Sequence, residues 1–536
     1  MVGERPRRAP GSPVDEALVE LDDRDALARL HARDPSLWSG DPRTQAGVAD
    51  RLGWLDAAVP RDERTERVRA VAADALGAGL DHAVLAGMGG SSLAPEVFAR
   101  VLGAGAGAAT LTVLDSTHPR VVLDALDGSD PRRTLVIVSS KSGTTEETAA
   151  FEARARRVLP GGDHLVAITD PGTELDERAR AYRDCLCNPP DIGGRYSALS
   201  YFGMLPAALL GVDVAAVHAR AAGMLARCGP GRPAADNPAA LLAAWMAGHA
   251  RAGRDKLTLL AHPALAPLGD WVEQLVAESL GKDGTGVVPV VGEPAGAPGA
   301  YGDDRAFVEL RLAGQAAPGA AALADAGRPV LVLDMPDRLD LGAEFVRWEA
   351  ATALAGALLG VNPFDEPNVS ESKANTRAIL DEVTGGGALA PPEGGDVATL
   401  LDEVGAGDYV SLQAYLPPVA EAQRALRRAR VLLRDRLGVA TTAGFGPRFL
   451  HSTGQLHKGG PDSVVALQIV DASLWDGGDG ADIPDRDYDF ATLVRAQAAG
   501  DLRSLREHGR RVSQVGAHGR AGLAGLGGAV DEATAR

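Results

Sequence analysis

The chain has 536 residues and a mass of 55.2 kDa; 45% of its residues are hydrophobic and 24% charged, which excludes a disordered polymer and allows sizeable cores. A formal charge of −18 excludes a general nucleic-acid or anionic-membrane binder, because either needs a positive footprint. Only five of the 54 basic residues are lysine (Lys141, Lys256, Lys282, Lys373 and Lys458), so each is a candidate for work that a guanidinium cannot do.

In chain order, Met1–Pro13 reads as a frayed arm and Val14–Ala58 as helical, ending in Arg51-Leu-Gly-Trp54. Short β-type runs then alternate with helical stretches. His82–Ala86 precedes the Gly-rich Gly87-Met-Gly-Gly-Ser-Ser92, and Pro95 opens a helix. Leu111–Leu114, Thr134–Ser139 and Leu165–Thr169 follow as strands, the second of them running into Lys141-Ser-Gly-Thr-Thr-Glu-Glu-Thr148 and a helix. This order predicts a doubly wound parallel sheet. A second α/β series begins after Cys228–Pro233, with strands at Lys256–Ala261, Val287–Val291, Ala306–Leu312 and Pro329–Leu333. Its helices are expected at Pro267–Gly281 and Glu344–Leu359. Gly385–Gly395 is a Gly/Pro-rich joint, Tyr409–Leu416 and Val464–Ile469 suggest a smaller third unit, and the last thirty residues are expected to be poorly ordered. The expected division is residues 1–60 (arm and helices), 61–227 and 228–385 (two α/β lobes), and 386–536 (carboxyl-terminal α/β extension).

Three cysteines (Cys185, Cys187 and Cys228) are too few for a disulfide framework, and Cys-Leu-Cys lacks the spacing of a zinc knuckle, so they read as ordinary reduced thiols. No secretory h-region and no apolar run of eighteen residues occur, which predicts a soluble, cytoplasmic protein. No metal or cofactor is expected.

In a doubly wound sheet, ligands collect at the carboxyl ends of the strands, where helix N-termini face an anion. Gly87–Ser92 permits close backbone approach. Ser140, Ser142, Thr144, Thr145 and Thr148, with Gly143 and Lys141, make a hydroxyl-dense turn suited to a phosphate monoester. A dinucleotide fingerprint is a weaker reading, because Ser92 stands where its third glycine belongs. Gln274 and Glu278 share one helix face, and a carboxylate there is a candidate general base. On spacing alone, an i,i+4 surface pair of Glu278 with Lys282 is the commoner arrangement. Arg195, after Gly193-Gly194, can reach a developing oxyanion, although an arginine in such a turn is more often structural.

Read together, these strings resemble the phosphoglucose isomerase family. They are Gly87-Met-Gly-Gly-Ser91, Ser140-Lys-Ser-Gly-Thr-Thr145 through Thr148, Gly193-Gly-Arg-Tyr-Ser197, Gln274-Leu-Val-Ala-Glu-Ser-Leu-Gly-Lys282, and Gly360-Val-Asn-Pro-Phe-Asp-Glu-Pro-Asn-Val369 with Lys373. Trp38-Ser-Gly-Asp-Pro42 and Gly446–Pro461 are closer to the isomerase half of transaldolase–isomerase fusion proteins. The resemblance implies two sugar-isomerase (SIS) lobes, a homodimer, and interconversion of glucose 6-phosphate and fructose 6-phosphate without metal or cofactor. Gly90, Ser91 and Ser140–Thr145 would hold the substrate, with Thr148 near the phosphate and Gln274 along the sugar. Glu278 would carry the proton between C2 and C1, Arg195 would stabilise the enediolate, and Lys373 would assist ring opening. One position departs from the pattern: where the family's ring-opening histidine is expected, this chain has Arg305, which stays charged and is a poor general acid. His451, supplied by this or another subunit, is the expected substitute, with His457 second. A dual-specificity glucose/mannose phosphate isomerase and a non-catalytic SIS sugar-phosphate regulator are the alternatives.

Overall fold

The structure, a computed structural model, describes residues 11–392 and 394–534. Most of the arm expected over Met1–Pro13 lies outside the described residues. The helical region expected over Val14–Ala58 is divided into Pro13–Asp23, Ala26–His31, Pro42–Ala49 and Trp54–Ala57, with a 3₁₀ turn at Pro35–Leu37. Prolines at helix starts explain the breaks: Pro35 and Pro42 cannot continue a preceding helix but suit a first turn, where the Asp34 and Asp41 side chains cap the free N–H groups.

Thirteen strands are described. The first sheet contains β1 (His82–Gly87), β2 (Thr110–Leu114), β3 (Thr134–Ser139), β4 (Leu165–Thr169) and β5 (Asp184–Cys187). The second contains β6 (Lys256–Ala261), β7 (Val288–Val290), β8 (Arg305–Leu312) and β9 (Val330–Met335). The third contains β10 (Tyr409–Tyr415), β11 (Ala440–Phe445), β12 (Val464–Asp471) and β13 (Arg511–Ala517). Their orders are β2-β1-β3-β4-β5, β7-β6-β8-β9 and β11-β10-β12-β13, with every pairing parallel. In each, the second strand lies on one side of the first and the third on the other, so each sheet has a switch point beside its first strand. The carboxyl-terminal extension thus repeats the topology of the two lobes before it.

The last thirty residues, expected to be poorly ordered, contain β13 and the helix Gly519–Thr534. Their Gly/Ala-rich composition hides a packed edge: Ala517 and Val530 are buried in the third sheet's core. Between the lobes runs the helix Leu341–Leu359, buried along almost its whole length against Val214–Arg227, Pro238–Arg251 and Ala266–Leu280. Such a mostly apolar helix belongs inside a protein, and its charged residues, Glu344, Arg347 and Glu349, are buried with it. Among the described residues, no helix is long and apolar enough to cross a membrane.

Candidate active site

Pairing of Gly87 with Ser139 in the β1–β3 register brings the two loops expected to bind ligand out side by side at the switch point of the first sheet. In the first loop, two glycines are required by what lies against them. A Cβ on Gly89, whose φ is +53°, would stand 2.8 Å from both Gln274 Nε2 and the His451 carbonyl oxygen. A Cβ on Gly90 would stand 2.1 Å from the Gly194 carbonyl oxygen. Gly90 therefore lets the Arg195 turn close onto the phosphate-loop side of the sheet. Ser91 is buried and its carbonyl oxygen accepts the Ser139 hydroxyl at 3.0 Å.

The hydroxyl loop is organised internally. Ser140 Oγ donates to Thr145 Oγ1 at 3.2 Å and accepts the Gly143 N–H at 3.2 Å; Thr144 Oγ1 donates to Ser142 Oγ at 3.0 Å. Thr148 Oγ1 is buried without a hydrogen-bond partner among the described residues. Lys141 is turned away, its ammonium paired with Asp170 and donating to the Pro190 carbonyl at 2.8 Å. The loop accordingly offers hydroxyls and N–H groups at the start of helix Glu146–Val158, not an unpaired ammonium.

Beside it lies a cleft of about 300 Å³ lined by Thr144, Thr145, Glu147, Lys373, His451 and Gln497 among others. Lys373, on helix Pro367–Thr384, is the one lysine of the five that is exposed. His451 comes from the same chain, at the end of a 3₁₀ turn, Arg448–His451, that follows β11. Its Nε2 lies 2.9 Å from Glu147 Oε1, which also accepts the Gln497 amide at 2.8 Å. Gln497 in turn accepts the Thr117 hydroxyl at 2.6 Å. Burial works against the charge of Glu147, but the neighbouring His451 outweighs it and holds this carboxyl below the usual glutamate range.

Glu278 sits behind the cleft wall, connected to it through Gln274. The Gln274 amide donates to Glu278 Oε2 at 2.9 Å and to the His451 carbonyl oxygen at 2.7 Å, while its Oε1 is buried without a partner among the described residues. Lys282 is not the partner of Glu278. Its ammonium, pushed down to about 8 by burial, donates to the Asn362 carbonyl at 2.7 Å and to Asp365 Oδ1 at 2.7 Å. The expected surface pair fails because this helix is buried on the side that carries both residues. The cation at Glu278 is Arg195, 4% exposed, with Nη1 3.4 Å from Glu278 Oε1.

Four other contacts fix that guanidinium: Ser279 Oγ at 2.8 Å, Glu366 Oε2 at 2.9 Å, and the carbonyls of Pro363 at 2.8 Å and Asp365 at 2.9 Å. Burial opposes its charge, yet the two carboxylates more than compensate, so Arg195 stays firmly protonated. Burial also raises Glu278 above the ordinary glutamate value, with Arg195 acting in the other direction. A buried carboxylate so raised, against a permanently charged donor, can take up a carbon-bound proton and have the resulting oxyanion stabilised.

Two expected residues lie elsewhere. Arg305 is buried on β8 between Thr258 (2.8 Å) and Glu293 (3.1 Å), with its guanidinium over the Tyr301 ring. His457 faces Ser411 and Gln413, and burial lowers it to about 3, so it is neutral at ordinary pH. Neither lines the cleft. Sequence reasoning assigned no role to Glu147, Gln497 or Glu366. Glu147 stood within the phosphate-loop motif, and Glu366 within the Gly360–Val369 motif, so both were within reach; Gln497 left no signal in a helix of ordinary composition.

Residues 62–292 match the family model described as phosphoglucose isomerase. A glucose-6-phosphate isomerase of Rubrobacter xylanophilus is 32% identical over 402 residues, covering 63% of this chain and 92% of that one. The glucose-6-phosphate isomerase of Synechococcus elongatus is 30% identical over 418 residues, covering 68% and 77%. Among solved structures, a hypothetical protein of Thermus thermophilus superposes with a TM-score of 0.58 at 28% identity, covering 68% of this chain and 97% of that one. A glucose-6-phosphate isomerase from Chlamydia trachomatis shares the fold at a TM-score of 0.55 and 18% identity, covering 69% and 86%.

Proposed function

Since the chain belongs to the phosphoglucose isomerase family, we propose that its reaction is the reversible aldose–ketose isomerisation of glucose 6-phosphate and fructose 6-phosphate. The observation that carries the site assignment is the buried Glu278–Arg195 pair, joined through Gln274 to a cleft that His451, Glu147 and Lys373 line. The phosphate is held by the hydroxyls and N–H groups of Ser140–Thr145 together with Thr148, and Gly90 and Ser91 border the sugar. Gln274 exchanges its bond to the His451 carbonyl for a sugar hydroxyl, which opens the way to Glu278.

Ring opening breaks the C1–O5 bond: His451, oriented by Glu147, gives a proton to the ring oxygen, with Lys373 as a compact donor near the same oxygen, while the O1 hydroxyl loses its proton to solvent as C1 becomes the carbonyl. Glu278 then takes the proton from C2, the electron pair moves to give a cis-enediolate, and Arg195 stabilises the oxyanion. Return of that proton to C1, with the O2 hydroxyl proton passing to O1, completes the conversion without net loss or gain of electrons. A homodimer, a cytoplasmic setting and the division into two lobes (residues 61–227 and 228–385) with an extension (386–536) belong to the same reading; the first rests on family resemblance alone.

Glu278→Gln tests it. In a coupled assay from fructose 6-phosphate, turnover is expected to fall by about 10²–10⁴-fold. Equilibrium binding of a non-isomerising sugar phosphate should remain within a few-fold of the wild type. Wild-type turnover in this variant would remove Glu278 as the base.

A further inference from the structure

Away from the cleft, three side chains with metal-binding atoms meet at the edge of the first sheet. Residues two apart on a strand project to the same side, so Cys185 and Cys187 on β5 stand together, Sγ to Sγ 3.9 Å. Leu186 between them is buried. From the preceding helix, Glu174–Arg178, Asp176 extends over the two sulfurs, its Oδ1 3.7 Å from Cys185 Sγ and 3.5 Å from Cys187 Sγ. The carboxylate is held from behind: Oδ2 accepts the Gly172 N–H at 2.8 Å, and the Thr173 hydroxyl accepts the Asp176 N–H at 3.1 Å. The three donors lie within 4.8 Å of one another.

Bond lengths decide what this triangle can hold. Around a tetrahedral zinc ion, with bonds of about 2.3 Å to sulfur and 2.0–2.2 Å to oxygen, neighbouring donors stand about 3.5–3.8 Å apart. The observed separations of 3.5, 3.7 and 3.9 Å nearly match. A disulfide fits poorly, because residues two apart on an extended strand have Cα atoms about 6.6 Å apart, at the upper edge of the range a disulfide spans. Two thiolates and a carboxylate also carry the charge and the softness that favour zinc or a similar soft cation over magnesium or calcium.

We propose that Asp176, Cys185 and Cys187 form a binding site for one zinc ion, with a fourth position left to water or an exchangeable ligand. Its place makes it a brace, not part of the isomerase chemistry. The Thr173 hydroxyl that caps the Asp176 helix also contacts Thr169 Oγ1 at 2.8 Å, and the Asp170 N–H donates to the Lys141 carbonyl oxygen at 3.2 Å. An ion there would tie the end of β5, and the chain running on to Arg195, to the flank of the phosphate loop. The spacing of the cysteines concealed it, because the third donor comes from the helix before the strand.

The test uses the full-length protein, stripped by chelator, kept reduced and titrated with Cd²⁺, a spectroscopically visible stand-in for zinc. One equivalent should bind with a sulfur-to-cadmium charge-transfer band, and one equivalent of Zn²⁺ should displace it. Cys185→Ser should abolish the band. Asp176→Asn, which keeps the side-chain shape, should weaken binding by at least the roughly tenfold that loss of even an outer-sphere partner costs. Cys228→Ser, which removes the buried third cysteine, should leave the titration unchanged. No band in the wild type, or an unaltered titration in Asp176→Asn, or loss in Cys228→Ser, would each overturn the assignment.

Discussion

Glu278 and Glu147 are both buried carboxylates, yet their neighbours set them in opposite directions. Burial lifts Glu278 above the ordinary glutamate range, whereas His451 outweighs burial at Glu147 and keeps it low. In the proposed mechanism, two carboxyls separated in this way divide the work: one accepts the carbon-bound proton, the other stays ionised to orient an imidazole. Turnover needs ionised Glu278, so kcat/KM should fall as pH drops through the raised Glu278 value, and its acid limb should lie above 4.5. A pH–rate profile locates that limb, and one at or below 4.5 would contradict the assignment. His451→Ala should reduce turnover of the cyclic sugar phosphate by about 10²-fold while sparing an open-chain substrate analogue. Equal loss on both would assign His451 to something other than ring opening.

The lysines sort themselves at the same scale. Lys256 is buried beside Asp255 at 2.8 Å, Lys458 pairs with Asp501 at 2.7 Å with both side chains 1% exposed, and Lys282 sits among carbonyls. Three of the five lysines thus place a compact ammonium in a buried site, where a single point charge meets carboxylate and carbonyl oxygens.

At the scale of elements, the turn that delivers His451 is anchored to three acidic side chains by one arginine. Arg448 pairs with Glu96 on helix Leu93–Leu102, with Asp115 after β2 at 3.0 Å, and with Asp270 on helix Ala266–Leu280 at 3.8 Å. Burial lifts Asp115 to about 6 despite Arg448, and the nearby Glu96 and Asp270 carboxylates add to the rise. Arg448→Met should therefore cost about 3 kcal/mol, because it leaves carboxylates facing one another without their cation. Denaturant unfolding reads the stability; kinetics should show a lower kcat with a smaller change in KM, since the phosphate loop is untouched. Unchanged stability would mean that the three acids are relieved by protonation or solvent.

These elements also show which parts of the fold were legible. Strands β1, β3, β4, β6 and β12 are dense apolar runs and could be placed from pattern. Strands β5, β11 and β13 were missed, and each lies at the edge of its sheet. Their residues, Asp184–Cys187, Ala440–Phe445 and Arg511–Ala517, are polar or small and break the alternation, whereas the edge strands β2, β7 and β9 keep apolar runs.

For the whole molecule, the extension packs into the first lobe beside the candidate site. Phe490 stacks on Phe151 of the phosphate-loop helix, centroids 5.9 Å apart and both fully buried, within an apolar core that first lobe and extension share. Nearby, Tyr488 donates to Glu146 at 2.5 Å and Arg486 pairs with the same carboxylate at 3.1 Å. A second shared core joins Ala277 and the strand β7 to Tyr409, Leu456 and Val464. Phe490→Ala should cost about 3–5 kcal/mol, the usual result of deleting a buried ring. It should also raise KM for the sugar phosphate by loosening the start of helix Glu146–Val158; a loss of stability with unaltered KM would separate the extension from substrate binding.

The sequence by itself determined the class of fold, the hydroxyl loop and the motif strings, because apolar periodicity and turn chemistry are local properties of the chain. It could not decide the partner of Glu278, where spacing favoured Lys282 and the fold supplied Arg195 from a turn far earlier in the chain. Nor could it show that His451 meets Glu147 within one chain, that Arg305 is absorbed by Glu293, or that Asp176 completes a triangle with two cysteines. The physical reason is common to all four. The energy of a buried charge depends on every group that surrounds it, and only tertiary packing brings those groups within a few ångströms.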